Sequence, residues 1–156
     1  MEALRSLLFA LVFYGGTLFA VLGALPVALA GRRPLRGYAK GWARFHRASA
    51  AAILGIRSRI EGAPPTGSVL VAAKHQSMFE TLEMLLLLDH PAVVVKRQLA
   101  DLPLFGWAMR RYGVIAVDRS AGAAALRRMM GEASAAVAEG RPGSAHRCAS
   151  SLSPAA

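Results

Sequence analysis

The longest uncharged stretch of this chain runs from Leu7 to Ala30 and spans 24 residues without an acidic or basic side chain. A helix of that length rises about 36 Å, enough to cross a hydrocarbon core of roughly 30 Å. Gly15, Gly16 and Pro26 weaken a helix in water but are tolerated within a membrane. The stretch therefore predicts an N-terminal membrane helix.

A cleaved secretory signal is the alternative interpretation, because Ala28-Leu29-Ala30 before Gly31 resembles a cleavage site. However, the apolar run is longer than the roughly 7–15 residues that are usual for a signal peptide. Three arginines also follow within residues 32–36, where positive charge resists translocation. We therefore favour a retained anchor, and the positive-inside rule places the chain after Ala30 in the cytoplasm.

The overall composition is apolar and strongly basic. Hydrophobic residues make up 54% of the chain, mean hydropathy is +0.39, and Lys plus Arg exceed Asp plus Glu by ten. Such an excess of positive charge predicts an anionic partner, either phospholipid head groups or nucleic acid. Aromatic residues are only 7%, and no nucleic-acid-binding signature is present. The composition favours a membrane phospholipid partner and no nucleic acid.

Cysteine and histidine are sparse and scattered. The single cysteine excludes an internal disulfide framework. The four histidines are His46, His75, His90 and His146. They lack the spacing of metal ligands, so no metal site is predicted.

A second helix is predicted over residues 35–56. Its aromatic and small residues recur at spacings of three and four and form one stripe: Tyr38, Trp42, Phe45, Ser49, Ala52 and Ile56. The basic residues lie largely off that stripe: Arg36, Lys40, Arg44 and Arg47. This pattern predicts either an amphipathic helix at an anionic membrane surface or a helix packed on the rest of the protein with a solvated basic face. His46 is expected at the surface.

Downstream, strand and helix patterns alternate. The apolar or β-branched runs predict strands, and the segments between them predict helices: strands at 69–73, 92–95 and 114–117, helices near 77–88 and 121–138. Alternation of this kind predicts an α/β fold with an incomplete mixed or parallel sheet flanked by helices. Lys96 and Arg119 follow two of these strands, at the sheet edge where α/β proteins bind their ligands.

The octapeptide Lys74-His75-Gln76-Ser77-Met78-Phe79-Glu80-Thr81 is a predicted strand-to-helix turn. Ser77 and Glu80 have the spacing of a capping box, which would make His75 an ordinary loop residue. Alternatively, Glu80 orients the imidazole of His75, and His75 acts as a general base. Spacing alone leaves both interpretations open.

This octapeptide, preceded by Ala72-Ala73, resembles the His-x4-Asp/Glu block of glycerolipid acyltransferases. It is most similar to the bacterial 1-acylglycerol-3-phosphate acyltransferases, where Glu often replaces Asp. Three further segments follow in the order found in that family: Val95–Leu99, Pro103–Trp107 and Gly113–Arg119.

The resemblance implies acyl transfer from an acyl carrier protein or coenzyme A thioester to the 2-hydroxyl of 1-acylglycerol 3-phosphate (lysophosphatidate), which gives phosphatidic acid. His75 would be the general base, Glu80 would orient it, and Arg119 and Lys96 would hold the substrate phosphate. No cofactor or metal is expected, because the thioester is already activated. The expected location is the bacterial inner membrane, with the catalytic part on the cytoplasmic face.

The pattern departs from the family after Pro142. The family continues with a strand and a Phe-Pro-Glu-Gly-Thr-Arg block, whereas residues 143–156 are rich in Ser and Ala. We therefore expect an anchor with an interfacial helix (1–56), a partial acyltransferase domain (57–142) and a disordered tail (143–156). A sheet lacking a central strand would be unstable and poorly active. A non-catalytic, membrane-anchored basic lipid-binding protein and an inactive acyltransferase fragment are the alternatives.

Overall fold

The structure, a computed structural model, describes residues 2–63, 69–74, 78–140 and 143–147. Its helices are α1 (Glu2–Leu29), α2 (Arg32–Ser49), α3 (Met78–Leu87), α4 (Arg97–Ala100), α5 (Phe105–Tyr112) and α6 (Gly122–Ala138). Its strands are β1 (Leu70–Lys74), β2 (Ala92–Lys96), β3 (Ile115–Val117) and β4 (Gly143–Arg147). A π-helical turn, Ala50–Leu54, extends α2, and a 3-10 turn, Arg119–Ala121, precedes α6.

Helix α1 packs lengthwise against α2. Ala24 and Ala28 are buried in the contact, and side chains of α2 approach Gly16 and Gly23 so closely that a Cβ there would clash. The opposite face of α1 is apolar and exposed, and within the described residues α1 is the one helix long and apolar enough to cross a membrane. The predicted N-terminal helix is confirmed as a helix, and its place in a membrane stays a prediction.

Helix α2 packs on the rest of the protein rather than standing apart. Arg47 forms an ion pair with Glu83 of α3, and Lys40 forms one with Asp89 just beyond α3. Two of the four predicted basic residues therefore face acidic partners. This arrangement matches the packed-helix alternative, and contact of α2 with a lipid surface stays a prediction.

The prediction that His46 is a surface residue is wrong, because α1 covers it completely. Its Nε2 lies 3.1 Å from Thr17 Oγ1, and its ring centroid lies 4.5 Å from that of Phe13 and 5.3 Å from that of Trp42. Gly16 leaves the space that this imidazole and Phe45 occupy. The contact of His46 with α1 could not be predicted from the sequence of α2 alone.

Burial lowers the pKa of His46 below its ordinary value of 6.5. As the pH falls through 6.5, the unfolded state takes up a proton that the folded state resists, so the free energy of unfolding must fall. We therefore expect a lower free energy of unfolding at pH 5.5 than at pH 7. Urea unfolding in detergent at both pH values measures it. His46→Gln should remove most of this difference, and an equal difference in the variant would contradict the assignment.

The four strands form one parallel sheet in the order β1-β4-β2-β3. Alternate residues of β2 face opposite sides of it. Val93 lies in a core cluster with Leu82, Leu85 and Tyr112, whereas Ala92 packs with α6 through a second cluster. Because helices cover both faces, the predicted α/β fold with a parallel sheet flanked by helices is confirmed.

The prediction of disorder from residue 143 is wrong for Gly143–Arg147, which form β4 between β1 and β2. Parallel neighbours on both sides offer partners for the backbone groups of β4, and this pairing outweighs its weak strand propensity. The predicted gap in the sheet is therefore filled. Residues 148–156 lie outside the described part, and the predicted low stability and activity of the chain stay predictions.

Candidate active site at the carboxyl edge of the sheet

The strand register brings the carboxyl ends of the strands to one level. Leu70, Gly143 and Ala92 are paired across β1, β4 and β2, and Lys96 is paired with Val117 of β3. Lys74 is paired with Arg147 at the far end of β1. The last residue of β1, Lys74, therefore lies at the same edge as Lys96 and the backbone of Arg119, and His75 is the next residue in the sequence.

The strand order also sets how far apart these positions are. The end of β1 lies two strand spacings from β2 and three from β3, about 10 and 14 Å along the sheet edge. The backbone of Lys96 thus lies nearer to the end of β1 than that of Arg119 does. A substrate that reaches from the end of β1 to both Lys96 and Arg119 must therefore extend along this edge of the sheet.

Glu80 lies in the first turn of α3, directly after the turn that leaves β1, and is partly buried. His75 and Ser77 lie outside the described residues. The contact between His75 and Glu80 and the alternative capping box therefore both stay predictions. The structure places the start of α3 at the carboxyl edge of the sheet, as either interpretation requires.

Lys96 is exposed where β2 ends and α4 begins. Arg119 opens the 3-10 turn after β3, and only its backbone is described. Ser120 does not cap the following helix. Asp118 instead accepts hydrogen bonds from the backbone N–H and hydroxyl of Ser120, and α6 starts two residues later without a side-chain cap.

Two arginines without a predicted role line a small cavity beside Arg119. The cavity measures about 150 Å³ and lies between Arg97 at the end of β2, Asp118 after β3 and Arg128 of α6. Hydrogen bonds from Ser120, and then the charge of Arg97, lower the pKa of Asp118. Arg97 directly follows β2, so its sequence position predicts that it lies at this edge of the sheet. Nothing in the sequence indicates that Arg128 belongs to the site.

A larger apolar cavity of about 400 Å³ is lined in part by the first residues of α3. Three segments line it, with residues that include Phe13 and Tyr14 of α1, Leu54 of the π-helical turn, and Met78 and Phe79 of α3. Sequence reasoning missed it, because it forms only where three separate segments meet. Its lining by Met78 and Phe79 puts an apolar space at the first turn of α3, the turn that contains Glu80.

Within the described residues, no group of three or more His, Cys, Asp or Glu side chains lies close enough together to hold a metal ion. The side chains of His75 and His146 lie outside the described part of the chain, so the expectation of no metal site stays a prediction.

The sequence was then compared with known families. The family model described as Acyltransferase matches residues 56–145, more than half of the chain. This chain belongs to the acyltransferase family. The matched region contains β1, the His75 turn, α3 and the strands that bring Lys96 and Arg119 to one edge. The resemblance seen in the sequence blocks is thereby confirmed.

One relative of this acyltransferase-family chain is the 1-acyl-sn-glycerol-3-phosphate acyltransferase of Pseudomonas aeruginosa, 32% identical over 137 residues. The alignment covers 83% of this chain and 52% of that protein, so the chain spans about half the length of the curated relative. The crystal structure of the 1-acyl-sn-glycerophosphate acyltransferase PlsC from Thermotoga maritima has the same fold. Its TM-score is 0.71 at 19% identity, with 94% of this chain and 61% of that one covered.

Proposed function

We propose that this chain carries acyl-transfer chemistry on lysophosphatidate, forming phosphatidic acid. The observation that carries the proposal is the arrangement around the start of α3: β1 ends one residue before His75 in the sequence, Glu80 lies in the first turn of α3, and Met78 and Phe79 of that turn line an apolar cavity. The P. aeruginosa relative, whose name gives this activity, supports it.

In this mechanism His75 removes the proton from the 2-hydroxyl as that oxygen attacks the thioester carbonyl. Glu80 holds the imidazole in the required tautomer and stabilises the imidazolium that forms. Collapse of the tetrahedral intermediate breaks the C–S bond, and the thiol leaves with the proton from His75. The acyl group comes from acyl carrier protein or coenzyme A, so no cofactor or metal is needed.

The apolar cavity suits an acyl chain. Its volume of about 400 Å³ lies within the roughly 300–1,000 Å³ usual for small-molecule sites. Helix α1 contributes both to the cavity wall and to an exposed apolar face. We propose that this face anchors the protein in the bacterial inner membrane with the sheet on the cytoplasmic side, because three arginines follow α1 within residues 32–36. The protein would then bind its insoluble lysolipid substrate at the membrane surface.

Arg119 and Lys96 are proposed to bind the phosphate of lysophosphatidate. A guanidinium offers paired donors to a phosphate, whereas a lysine ammonium offers a single point charge. Arg119→Lys should therefore raise the KM for lysophosphatidate about tenfold with a smaller effect on kcat. Steady-state kinetics on mixed micelles measure both constants. Arg127→Lys, on the exposed side of α6, is the matched control, and equal KM values for the two variants would contradict the assignment.

The experiment that tests the proposed function is an acyl-transfer assay on the purified chain. Lysophosphatidate is offered with an acyl–acyl carrier protein or an acyl–coenzyme A, and phosphatidic acid is measured by mass spectrometry. Formation by the wild-type chain and not by His75→Ala supports the proposal. Binding of anionic vesicles without any product would instead support a non-catalytic lipid-binding protein.

A further inference from the structure

Glu83 of α3 is an enclosed carboxylate with a single ion-pair partner among the described residues. Its side chain is 14% exposed, and its Oε2 lies 3.6 Å from Nη1 of Arg47 on α2. Its other oxygen, Oε1, is buried and has no hydrogen-bond partner within that part of the chain. Removing the cation from so enclosed an ion pair is strongly destabilising, because the carboxylate is left buried without its partner.

The position of Glu83 links it to the proposed active site. Glu83 follows Glu80 by three residues in the same continuous helix, so their Cβ atoms are about 5–6 Å apart. A contact that fixes Glu83 against α2 therefore also fixes the first turn of α3, where Glu80 lies. Glu80 is the residue proposed to orient His75.

The interface between α2 and α3 contains a second ion pair that allows a comparison. Lys40 Nζ lies 3.1 Å from Oδ1 of Asp89, just beyond the end of α3. Asp89 is 82% exposed, so water screens its charge, and it lies nine residues from Glu80. The two pairs therefore join the same two helices, but only Arg47–Glu83 lies within one turn of Glu80.

We propose that Arg47 is a positioning residue for acyl transfer: by pairing with Glu83, it keeps α3 seated against α2 and so holds Glu80 in place. This role rests on the proposed function. It also connects the anchor to the catalytic helix, because α2 contacts α1 on one side and α3 on the other. Displacement of α2 would then alter the rate as well as membrane attachment.

The test is steady-state kinetics with lysophosphatidate on five proteins: wild type, Arg47→Ala, Arg47→Lys, the double variant Arg47→Ala with Glu83→Gln, and Lys40→Ala as the matched control. Arg47→Ala should lower kcat about tenfold and change KM less than about twofold. Arg47→Lys, which keeps the charge, should recover most of kcat. The double variant should also recover most of it, because glutamine no longer needs a balancing cation. Lys40→Ala should stay within about twofold of wild type.

A kcat for Arg47→Ala equal to that of Lys40→Ala would overturn the proposal, as would a double variant as slow as Arg47→Ala. Thermal unfolding of each protein identifies any variant that fails to fold. If Arg47→Ala fails to fold, the kcat values of Arg47→Lys and of the double variant test the proposal instead. The proposed function is judged separately. If wild type and His75→Ala give equal product, acyl transfer by this site is refuted and the role of Arg47 falls with it. If they differ, only the results on Arg47 bear on the positioning role.

Discussion

Replacing His75 with alanine is expected to lower the rate of acyl transfer by about three orders of magnitude, because a positioned general base contributes about 10²–10⁴ to such a reaction. In the sequence, His75 comes directly after the last residue of β1 and five residues before Glu80. Initial rates of phosphatidic acid formation measure the effect. A His75→Ala variant that keeps more than about a tenth of the wild-type rate would contradict its role as base.

Glu80→Gln separates the two interpretations of the His75 turn. Glutamine replaces glutamate equally well at the third position of a capping box, so Ser77 and residue 80 could still cap α3. It cannot, however, stabilise an imidazolium by charge. We expect Glu80→Gln to unfold at the wild-type temperature while its rate falls about a hundredfold. Ser77→Ala, the matched control, should do the reverse, losing about 1 kcal/mol of stability with little change in rate.

Gly106→Ala is expected to destabilise the fold by about 3 kcal/mol or more. A Cβ at Gly106 would lie 2.2 Å from the carbonyl oxygen and 2.6 Å from the carbonyl carbon of Ala100. That carbonyl belongs to the backbone and accepts a hydrogen bond from Arg110 Nε at 3.0 Å, so it cannot move aside cheaply. Denaturant unfolding in detergent measures the loss.

Gly131→Ala is the control for this prediction. It adds the same methyl group within α6, where nothing lies within 4 Å of the added atom. The variant should be more stable than wild type by about 0.5–1 kcal/mol, because alanine favours a helix interior. Equal unfolding midpoints for the two variants would show that the contact between Gly106 and Ala100 is not close.

The sequence was sufficient to predict the elements with strong local signals. The uncharged run became α1, the β-branched run at 92–95 became β2, and the helix predicted near 121–138 became α6. The edge that Lys96 and Arg119 share followed from parallel alternation alone. These features depend on periodicity and on strand direction, both of which a single sequence records.

Features that depend on contacts between distant segments could not be predicted. His46 is buried because Gly16, 30 residues earlier, leaves space for it. The strand Gly143–Arg147 forms because β1 and β2 offer it backbone partners on both sides, although its own residues carry no strand pattern. The apolar cavity likewise arises only where α1, the π-helical turn and α3 meet.

The most direct test of the central claim is whether the purified chain acylates lysophosphatidate. The chain is incubated in mixed micelles with an acyl thioester, and the position of the new ester is determined by mass spectrometry. The account predicts phosphatidic acid acylated at the 2-hydroxyl, formed by the wild-type chain and absent with His75→Ala. Product formed equally by both proteins, or a correctly folded wild-type chain that forms none, would contradict it.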